Sequence, residues 1–489
     1  MSQLPLEELF CQQHPSCDTA SLAEKLRAAM EEVKVLVPSM SLEERMIGEF
    51  KHLLTLQLLH MRFKEVFKGG FAAKCQQMTS LPWNRSSSFL RILVALNCFA
   101  AGLPLPDPSP HVLEGGAIPI SIDDYSPFLA LPYQPQHLEL GVFLILLALW
   151  THEPKLIESA LSVAKWQLQL LDQACNPLKG LFARAQDENS FETLFLLSLL
   201  FKGIDRLVED PLFLALGDQF ELKWRALTVA SSVEVAPLWV LIEPFLISHP
   251  ASAASDALPE APSVSKILDV STGLVGKRSL RQNIFCTLHG GYTGLGSIRI
   301  DDVELLTYGP HYWPLEEVAG FGIEANHLSQ QGVKKNYIHL SRDGFVARGC
   351  VRMVDQPPLQ LGGMKRFRGI WLELVQEFKP PFLEIDVAFL GLAGFEGVFF
   401  TFFVKANSCK IMGSEIPLST LVTSSSSLVV EGETGKMMLE PLWADSQLQV
   451  LSLKGQKEVW GADWLIAYPL RPEQLRYQWQ IKFESKMAN

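Results

Sequence analysis

The sequence lacks the short motifs that mark common catalytic and nucleotide-binding sites. It contains no H-E-x-x-H, no G-x-S-x-G, no G-x-x-x-x-G-K-S/T, and no G-x-G-x-x-G after a predicted strand. Gly276-Lys277 is followed by Arg278 and lacks the upstream glycine of a phosphate-binding loop. These absences argue against a metalloprotease, an esterase and a P-loop nucleotidase.

Charged residues are scarce, at 19% of the 489 residues. The chain has 42 Lys and Arg against 53 Asp and Glu, a net charge of −11. Proteins that bind nucleic acid or coat an anionic membrane neutralise phosphates with basic side chains, so this balance argues against both partners. The acidic excess lies in residues 1–262, with 19 basic and 30 acidic side chains, because residues 263–489 carry 23 of each.

Long hydrophobic runs are absent too. The longest, Leu140 to Trp150, covers 11 residues, whereas a membrane-spanning helix needs roughly 20 apolar residues. It predicts a helix packed between other helices, and so does the similar run at residues 191–201. We therefore expect no membrane span.

Paired cysteines and an export signal are also missing. The cysteines form no C-x-x-C pair and no regular spacing, which argues against a zinc ribbon or a disulfide framework. The N-terminal residues have neither a basic nor an apolar signal region. We expect free thiols and a cytoplasmic protein, with no cofactor and no metal. The eight cysteines are Cys11, Cys17, Cys75, Cys98, Cys175, Cys286, Cys350 and Cys409.

The fold class predicted from these patterns is a multidomain chain, α then β. Residues 249–265 are rich in Ala, Ser and Pro without apolar periodicity, which predicts a linker. We expect a helical domain at residues 1–248 and a large antiparallel β-sandwich at residues 266–489.

Helix signals dominate the first part. Ser21 and Ser41 each begin a capping box, and the second predicts a helix from Leu42 to about residue 67. Apolar residues recur at helical spacing between Glu153 and Asn176. Further helices are expected at residues 136–150 and 190–208, and a short one after Asp210-Pro211. Some of these helices are apolar all the way round, and the one between Glu153 and Asn176 has one polar face. This difference predicts an inner and an outer layer of helices.

Strand signals dominate the second part. Residues 476–484 and 383–389 alternate strictly between apolar and polar side chains, as half-buried strands do. About a dozen such runs without intervening helices predict a sandwich. The other predicted strands cover residues 297–300, 303–307, 336–340, 345–353, 369–378, 397–405, 427–431, 436–440 and 447–453. Asp301-Asp302 is expected to form a two-residue turn.

One segment, Thr287 to Tyr312, gathers two His, three Tyr and five Gly in 26 residues. Placed after a helical part and before a β part, it resembles the heparinase II/III-like polysaccharide lyases. Gly296-Ser297-Ile298 stands where that family has Gly-Ser-Phe, and Tyr308-Gly309-Pro310 where it has Asp-Pro-Gly. The family's acidic residue and second histidine are replaced by residues 290–292, Gly-Gly-Tyr.

The resemblance implies an α/α-toroid-like helical domain and β-elimination at a uronic acid. Such a reaction needs a group that neutralises the carboxylate, a base for the adjacent proton and an acid for the leaving oxygen. The expected catalytic residues are Tyr292, His289, His137, Asn189 and Tyr125. The expected substrate-binding residues are Tyr133, His311, Tyr312, Lys365, Arg366 and Arg368.

Each of these residues also has a structural interpretation. His289 is a turn histidine beside two glycines, the tyrosines are sheet-edge or loop anchors, and the basic cluster at 365–368 protects a strand edge. Two functions therefore stay open. The first is a carbohydrate-active protein, a polysaccharide lyase with a glycan partner; the second is a non-catalytic glycan- or protein-binding scaffold on the same architecture. The oligomeric state is left open.

Overall fold

The structure is a computed structural model of the chain. It describes residues 42–62, 73, 75–76, 87–118, 135–171, 175–177, 191–230, 237–247, 266–271, 273–279, 281–288, 295–312, 328–332, 337–355, 366–390, 398–416, 421–424, 427–443, 446–453, 461–471 and 473–486. Within these ranges, helices fill the first half and two antiparallel sheets the second, which confirms the predicted order of α then β.

The helical half packs around one apolar core. Helix α3 is buried from residue 137 to 150 except at Leu149, and it contacts α2, α4, α5 and α7. Helix α4 instead exposes Lys155, Glu158 and Lys165 on one face. Helix α3 therefore lies in an inner position and helix α4 in an outer one, as expected. The helices of the described ranges are α1 (Leu42–Arg62), α2 (Ser88–Ala100), α3 (Pro135–Thr151), α4 (Pro154–Gln169), α5 (Phe191–Val208), α6 (Pro211–Ala230) and α7 (Pro237–Leu246).

Several helix ends follow their predicted signals, and others do not. Asp210 caps α6, because the Leu212 backbone N–H donates to Asp210 Oδ1 at 3.0 Å. The prediction of a short helix there was wrong, since α6 has 20 residues. Helix α4 starts at Pro154 but ends at Gln169, before Asn176, because Leu170 leaves the helical conformation. The Ser21 and Ser41 caps and residues 63–67 lie outside the described residues.

A buried ion pair joins α5 to α6. Lys202 and Glu221 bind each other with side chains only 2% exposed. Lys202 Nζ also lies 2.7 Å from Asp218 Oδ1, and Arg225 Nε donates to Glu221 Oε1 at 2.6 Å. Gly217 gives Lys202 its space, since a Cβ there would lie 2.4 Å from the lysine Cγ. Charges buried in this way are kept only where each one has a partner.

The β half forms two sheets that share an apolar core. The first has the strand order β1-β2-β3-β4-β5-β11-β18-β17-β14, and the second β13-β12-β15-β16-β19-β10-β9-β8-β6, with β7 also paired to β8. The strands are β1 (Lys266–Asp269), β2 (Leu274–Arg278), β3 (Gln282–Thr287), β4 (Gly296–Ile300), β5 (Val303–Tyr312), β6 (Leu328–Gly332), β7 (Tyr337–Leu340), β8 (Phe345–Asp355), β9 (Arg366–Lys379), β10 (Phe382–Leu390), β11 (Val398–Lys405), β12 (Ser408–Ile411), β13 (Ser414–Glu415), β14 (Leu421–Ser424), β15 (Leu428–Glu431), β16 (Gly435–Pro441), β17 (Leu448–Ser452), β18 (Trp464–Pro469) and β19 (Arg476–Ser485).

The predicted Asp301-Asp302 turn joins β4 to β5, with Ile300 paired to Val303. Asp301 has a φ of 50°, a left-handed conformation that aspartate tolerates in such turns. The Asp302 carboxylate accepts bonds from the backbone N–H groups of Thr434 and Gly435 at 3.1 and 2.7 Å. Partial burial would raise the Asp302 pKa, but these bonds outweigh it and lower the pKa. The turn therefore ties the first sheet to the second.

The cysteines with described side chains are Cys75, Cys98, Cys175, Cys286 and Cys409, and all five are buried thiols outside any disulfide. This confirms the expected thiols for that part of the chain. Burial raises the pKa of Cys286 and of Cys409 to about 12, so both stay protonated at neutral pH.

None of the described helices combines the length and apolar character needed to cross a membrane.

Candidate functional site

A small apolar cluster joins the helical half to the β half. On the helical side, Trp166 and Leu170 come from α4 and its end; on the other side, Leu274 and Phe285 come from β2 and β3. All of them are at most 2% exposed. We call this cluster the junction; its members are Leu113, Ala117, Trp166, Leu170, Ile267, Leu274 and Phe285.

Polar contacts fix the junction in one arrangement. Trp166 Nε1 donates to Asp269 Oδ2 at 2.8 Å, and the Ser271 backbone N–H donates to Asp269 Oδ1 at 2.9 Å. Arg278 Nη1 donates to the Gln169 carbonyl at 3.2 Å, at the C-terminal end of α4, where a cation is favoured. The first hairpin of the β half is thereby held against α4.

His137 lies directly behind the junction. Its ring is fully buried and packs on Trp166 with 4.9 Å between ring centroids. Nε2 accepts from the Ile118 backbone N–H at 3.2 Å, and Nδ1 lies 2.9 Å from the Gln167 side-chain amide. Burial lowers the His137 pKa to about 4, so the ring is neutral at pH 7. Gln167 Nε2 is the amide atom that faces Nδ1, so each ring nitrogen lies against a nitrogen of the protein.

These bonds define what His137 does in this conformation. Both ring nitrogens bind protein groups, one on the chain before residue 119 and one on α4. A substrate would reach the ring only after those bonds break. The observed role of His137 is to hold Ile118 against α4.

Two segments that carry predicted site residues follow described residues beside the junction, since Ile118 is next to Ala117 and Leu288 bonds to Gly273, the neighbour of Leu274. Residues 119–134, with Tyr125 and Tyr133, follow Ile118, whose N–H is bound to His137. Residues 289–294, with His289 and Tyr292, follow Leu288, whose N–H donates to the Gly273 carbonyl at 2.9 Å. The four predicted residues themselves lie outside the described residues, as do Asn189 and Lys365.

The remaining predicted residues lie on strands whose backbone alone is described. His311 and Tyr312 end β5 and pair with Phe399 and Val398 of β11. Because β5 runs antiparallel to β4, they lie at the end of the sheet where β4 begins, three and four residues beyond Tyr308, to which Leu295 bonds. Arg366 begins β9 opposite Asp355, and Arg368 follows on the same strand.

The structure also contains a buried polar group that the sequence analysis missed. Gln376 points inward from β9 between Leu374 and Phe378 and is fully buried. Its amide reaches across the sandwich to Tyr308 and to the carbonyl of Leu295. The sequence signal that could have identified it is a single amide, Gln376, between Leu374 and Phe378 on the apolar face of the strand.

No three His, Cys, Asp or Glu side chains among the described residues are grouped so as to hold a metal ion.

No family model matches the chain, and no curated protein matches it. Among solved structures, heparinase III is similar with a TM-score of 0.49 and 8% identity, over 96% of this chain and 74% of that one. A point mutant of chondroitin AC lyase from Streptomyces coelicolor A3 is similar with a TM-score of 0.41 and 12% identity, over 96% and 71%. Xanthan lyase from Paenibacillus is similar with a TM-score of 0.43 and 9% identity, over 96% and 58%.

The chain is thus similar to a group of solved polysaccharide lyases that includes heparinase III, in agreement with the resemblance stated above. At TM-scores of 0.41–0.49, they say nothing about the chemistry of this chain.

Proposed function

We propose that the chain is a carbohydrate-active protein, a polysaccharide lyase that acts by β-elimination on a uronic-acid glycan at the junction. The observation that carries the proposal is that the segments 119–134, with two Tyr, and 289–294, with one His and one Tyr, follow residues held beside the junction, Ile118 and Leu288. In this proposal residues 1–248 form an α/α-toroid-like domain, residues 249–265 a linker and residues 266–489 the β-sandwich domain.

The proposed reaction assigns a role to each group. Tyr292 and His289 supply the base that takes the proton beside the uronic carboxylate and the acid that protonates the leaving oxygen. The electron pair of the broken C–H bond becomes the new C=C bond as the glycosidic bond breaks. Asn189 donates a hydrogen bond to the carboxylate and so stabilises the charge that develops. Tyr125 is a second candidate acid.

Other residues hold the sugar or the site. The proposed contacts to glycan come from Tyr133, His311, Tyr312, Lys365, Arg366 and Arg368. In this proposal His137 does not contact the sugar. It holds Ile118 against α4, because its nitrogens are already bound to both. The acidic first half, with 19 basic and 30 acidic side chains in residues 1–262, favours a sparsely charged polymer over a heavily sulfated one.

A specific observation favours the second candidate function, a non-catalytic glycan- or protein-binding scaffold. Residues 290–292 are Gly-Gly-Tyr, without the acidic residue and second histidine of the family that the segment resembles. Under this alternative the same residues bind a sugar or a protein without breaking a bond.

The test is a panel of hyaluronan, chondroitin, heparan sulfate, alginate and xanthan with the full chain. β-Elimination produces an unsaturated uronic ring that absorbs in the near ultraviolet. We expect absorbance to rise with at least one weakly charged polymer and least with heparan sulfate. Binding without any rise would support the scaffold, and neither binding nor a rise would overturn the glycan proposal.

A further inference from the structure

Gln376 is a polar residue in the middle of an apolar core. It is fully buried, and the side chains on either side of it along the inner face of β9 are Leu374 and Phe378. A buried amide without partners costs several kcal/mol relative to water, so its contacts explain why it is tolerated. A leucine or methionine would fill a similar volume without that cost.

The Gln376 amide is satisfied by groups of the opposite sheet. Its Oε1 accepts from the Tyr308 hydroxyl. Its Nε2 donates to the Leu295 carbonyl at 3.2 Å and, in a longer contact, to the Thr287 carbonyl at 3.5 Å. Thr287 and Leu295 bracket the segment 289–294, so one side chain binds the chain on both sides of that segment.

Thr287 and Leu295, which we call the two stems of the segment 289–294, are also bound to each other and to β5. The Thr287 backbone N–H donates to the Leu295 carbonyl at 2.9 Å, and the Leu295 N–H donates to the Tyr308 carbonyl at 2.7 Å. Gly296 allows the Tyr308 ring to lie close to this backbone, because a Cβ at position 296 would lie 2.6 Å from the Tyr308 hydroxyl oxygen. The spacing between Tyr308 and the stems is therefore fixed by backbone contact.

Tyr308 is itself held in one orientation. Its hydroxyl gives its single proton to Gln376, so the neighbouring contact of 3.3 Å with Cys286 Sγ is donated by the thiol. Burial raises the Tyr308 pKa well above its usual value, with the nearby Cys286 adding to the effect. The chain of bonds thus runs in one direction, from Cys286 through Tyr308 to Gln376 and the stems.

We infer that Gln376, oriented by Tyr308, is a positioning residue for the segment that carries His289 and Tyr292. The inference rests on the proposed function for the part these residues play in catalysis. Its structural content, that one amide from the second sheet holds both stems, stands on the contacts alone. The sequence does not reveal this contact, because the bonded carbonyls are 81 and 89 residues from Gln376.

The test compares Gln376→Leu with Gln478→Leu in the full chain. Gln478 lies half-buried on β19 and donates to Asp386, away from the stems. We expect the Thr287 and Leu295 amides to exchange hydrogen about ten-fold faster in Gln376→Leu, with the amides of β19 unchanged, because one stabilising bond per stem is lost. Gln478→Leu should leave both stem amides at the wild-type rate.

Tyr308→Phe provides a second variant in case Gln376→Leu does not fold. It removes only the hydroxyl that orients the amide, and the same two stem amides should exchange faster. Unchanged stem exchange in a folded variant, or a uniform rise across both sheets, would overturn the positioning role.

An activity measurement separates this inference from the proposed function. On a polymer that the wild type cleaves, Gln376→Leu should lower kcat about ten-fold and leave KM within about two-fold, since it displaces reacting groups rather than a sugar contact. If the wild type has no activity, the lyase proposal is contradicted. The exchange result alone then decides whether Gln376 positions the segment. Wild-type kcat in Gln376→Leu would sink the catalytic part of the inference.

Discussion

Lys202→Met is expected to lower the free energy of unfolding by about 3 kcal/mol, because it leaves Glu221 buried without its nearest cation. The Glu221 side chain is only 2% exposed and binds both Lys202 and Arg225. Removing one partner of a buried pair costs about 3–5 kcal/mol; the lower end applies here because Arg225 stays. The measurement is urea unfolding followed by helical circular dichroism.

Two controls separate the buried charge from the loss of a lysine. Lys165→Met removes an exposed lysine from helix α4 and should change stability by no more than about 0.5 kcal/mol. Adding Glu221→Leu to Lys202→Met should recover part of the loss, because replacing both partners removes the orphaned charge. A loss below about 1 kcal/mol in Lys202→Met would contradict the structure of this pair.

The pH dependence of this effect has a definite sign. Burial would raise the Glu221 pKa, but its bonds and proximity to Lys202 and Arg225 outweigh burial and lower it. A carboxyl with a lowered folded pKa stabilises the fold above its unfolded pKa, about 4.3 for glutamate. The difference between wild type and Lys202→Met should therefore shrink as the pH falls below that value.

Tyr292→Phe is expected to reduce turnover of a cleaved polymer by a factor of about 10² or more, the usual scale for a lost general acid or base. The change keeps the ring and removes the hydroxyl, so the melting temperature should not move. His289→Ala should reduce turnover similarly. Ultraviolet absorbance with the polymer selected from the panel measures both variants.

Tyr337→Phe is the matched control for the tyrosine. Tyr337 lies on β7 with 56% of its surface exposed, opposite Arg348 and on the second sheet. Its hydroxyl has no part in the proposed reaction, so turnover should stay at the wild-type level. Full activity in both Tyr292→Phe and His289→Ala would show that the base and acid lie elsewhere.

Much of the β half could be predicted because alternation is a local property. The run at residues 476–484 is β19, Arg476–Ser485, with Tyr477, Trp479, Ile481 and Phe483 buried. Each residue's face depends only on its place in the pleat, so the pattern needs no knowledge of the partner strand.

Some helices could not be predicted so well, for physical reasons that lie outside the local sequence. Helix α7 contains Pro244, which usually ends a helix. Helix α6 continues through Gly217, a poor helix former, because that glycine packs against Lys202 of α5. In α6 tertiary packing outweighs local propensity, and Pro244 of α7 is itself buried.

The candidate site was predicted at the level of segments rather than contacts. Residues 287–312 stood out by composition, and the structure places Leu288, the residue before the 289–294 segment, against Gly273 beside the junction. The supports of that site, Gln376 and the Trp166–Asp269 bond, join residues 81 to 103 positions apart. No spacing rule within one segment could reveal such contacts.

The central claim is that a uronic-acid glycan binds at the junction. The most direct measurement is hydrogen exchange of the full chain with and without hexasaccharides of hyaluronan and chondroitin. The account predicts slower exchange at residues 111–118 and 273–296 with a bound hexasaccharide, and unchanged exchange on β7 and β19. Saturable binding that slows exchange only on strands or helices remote from the junction would contradict it.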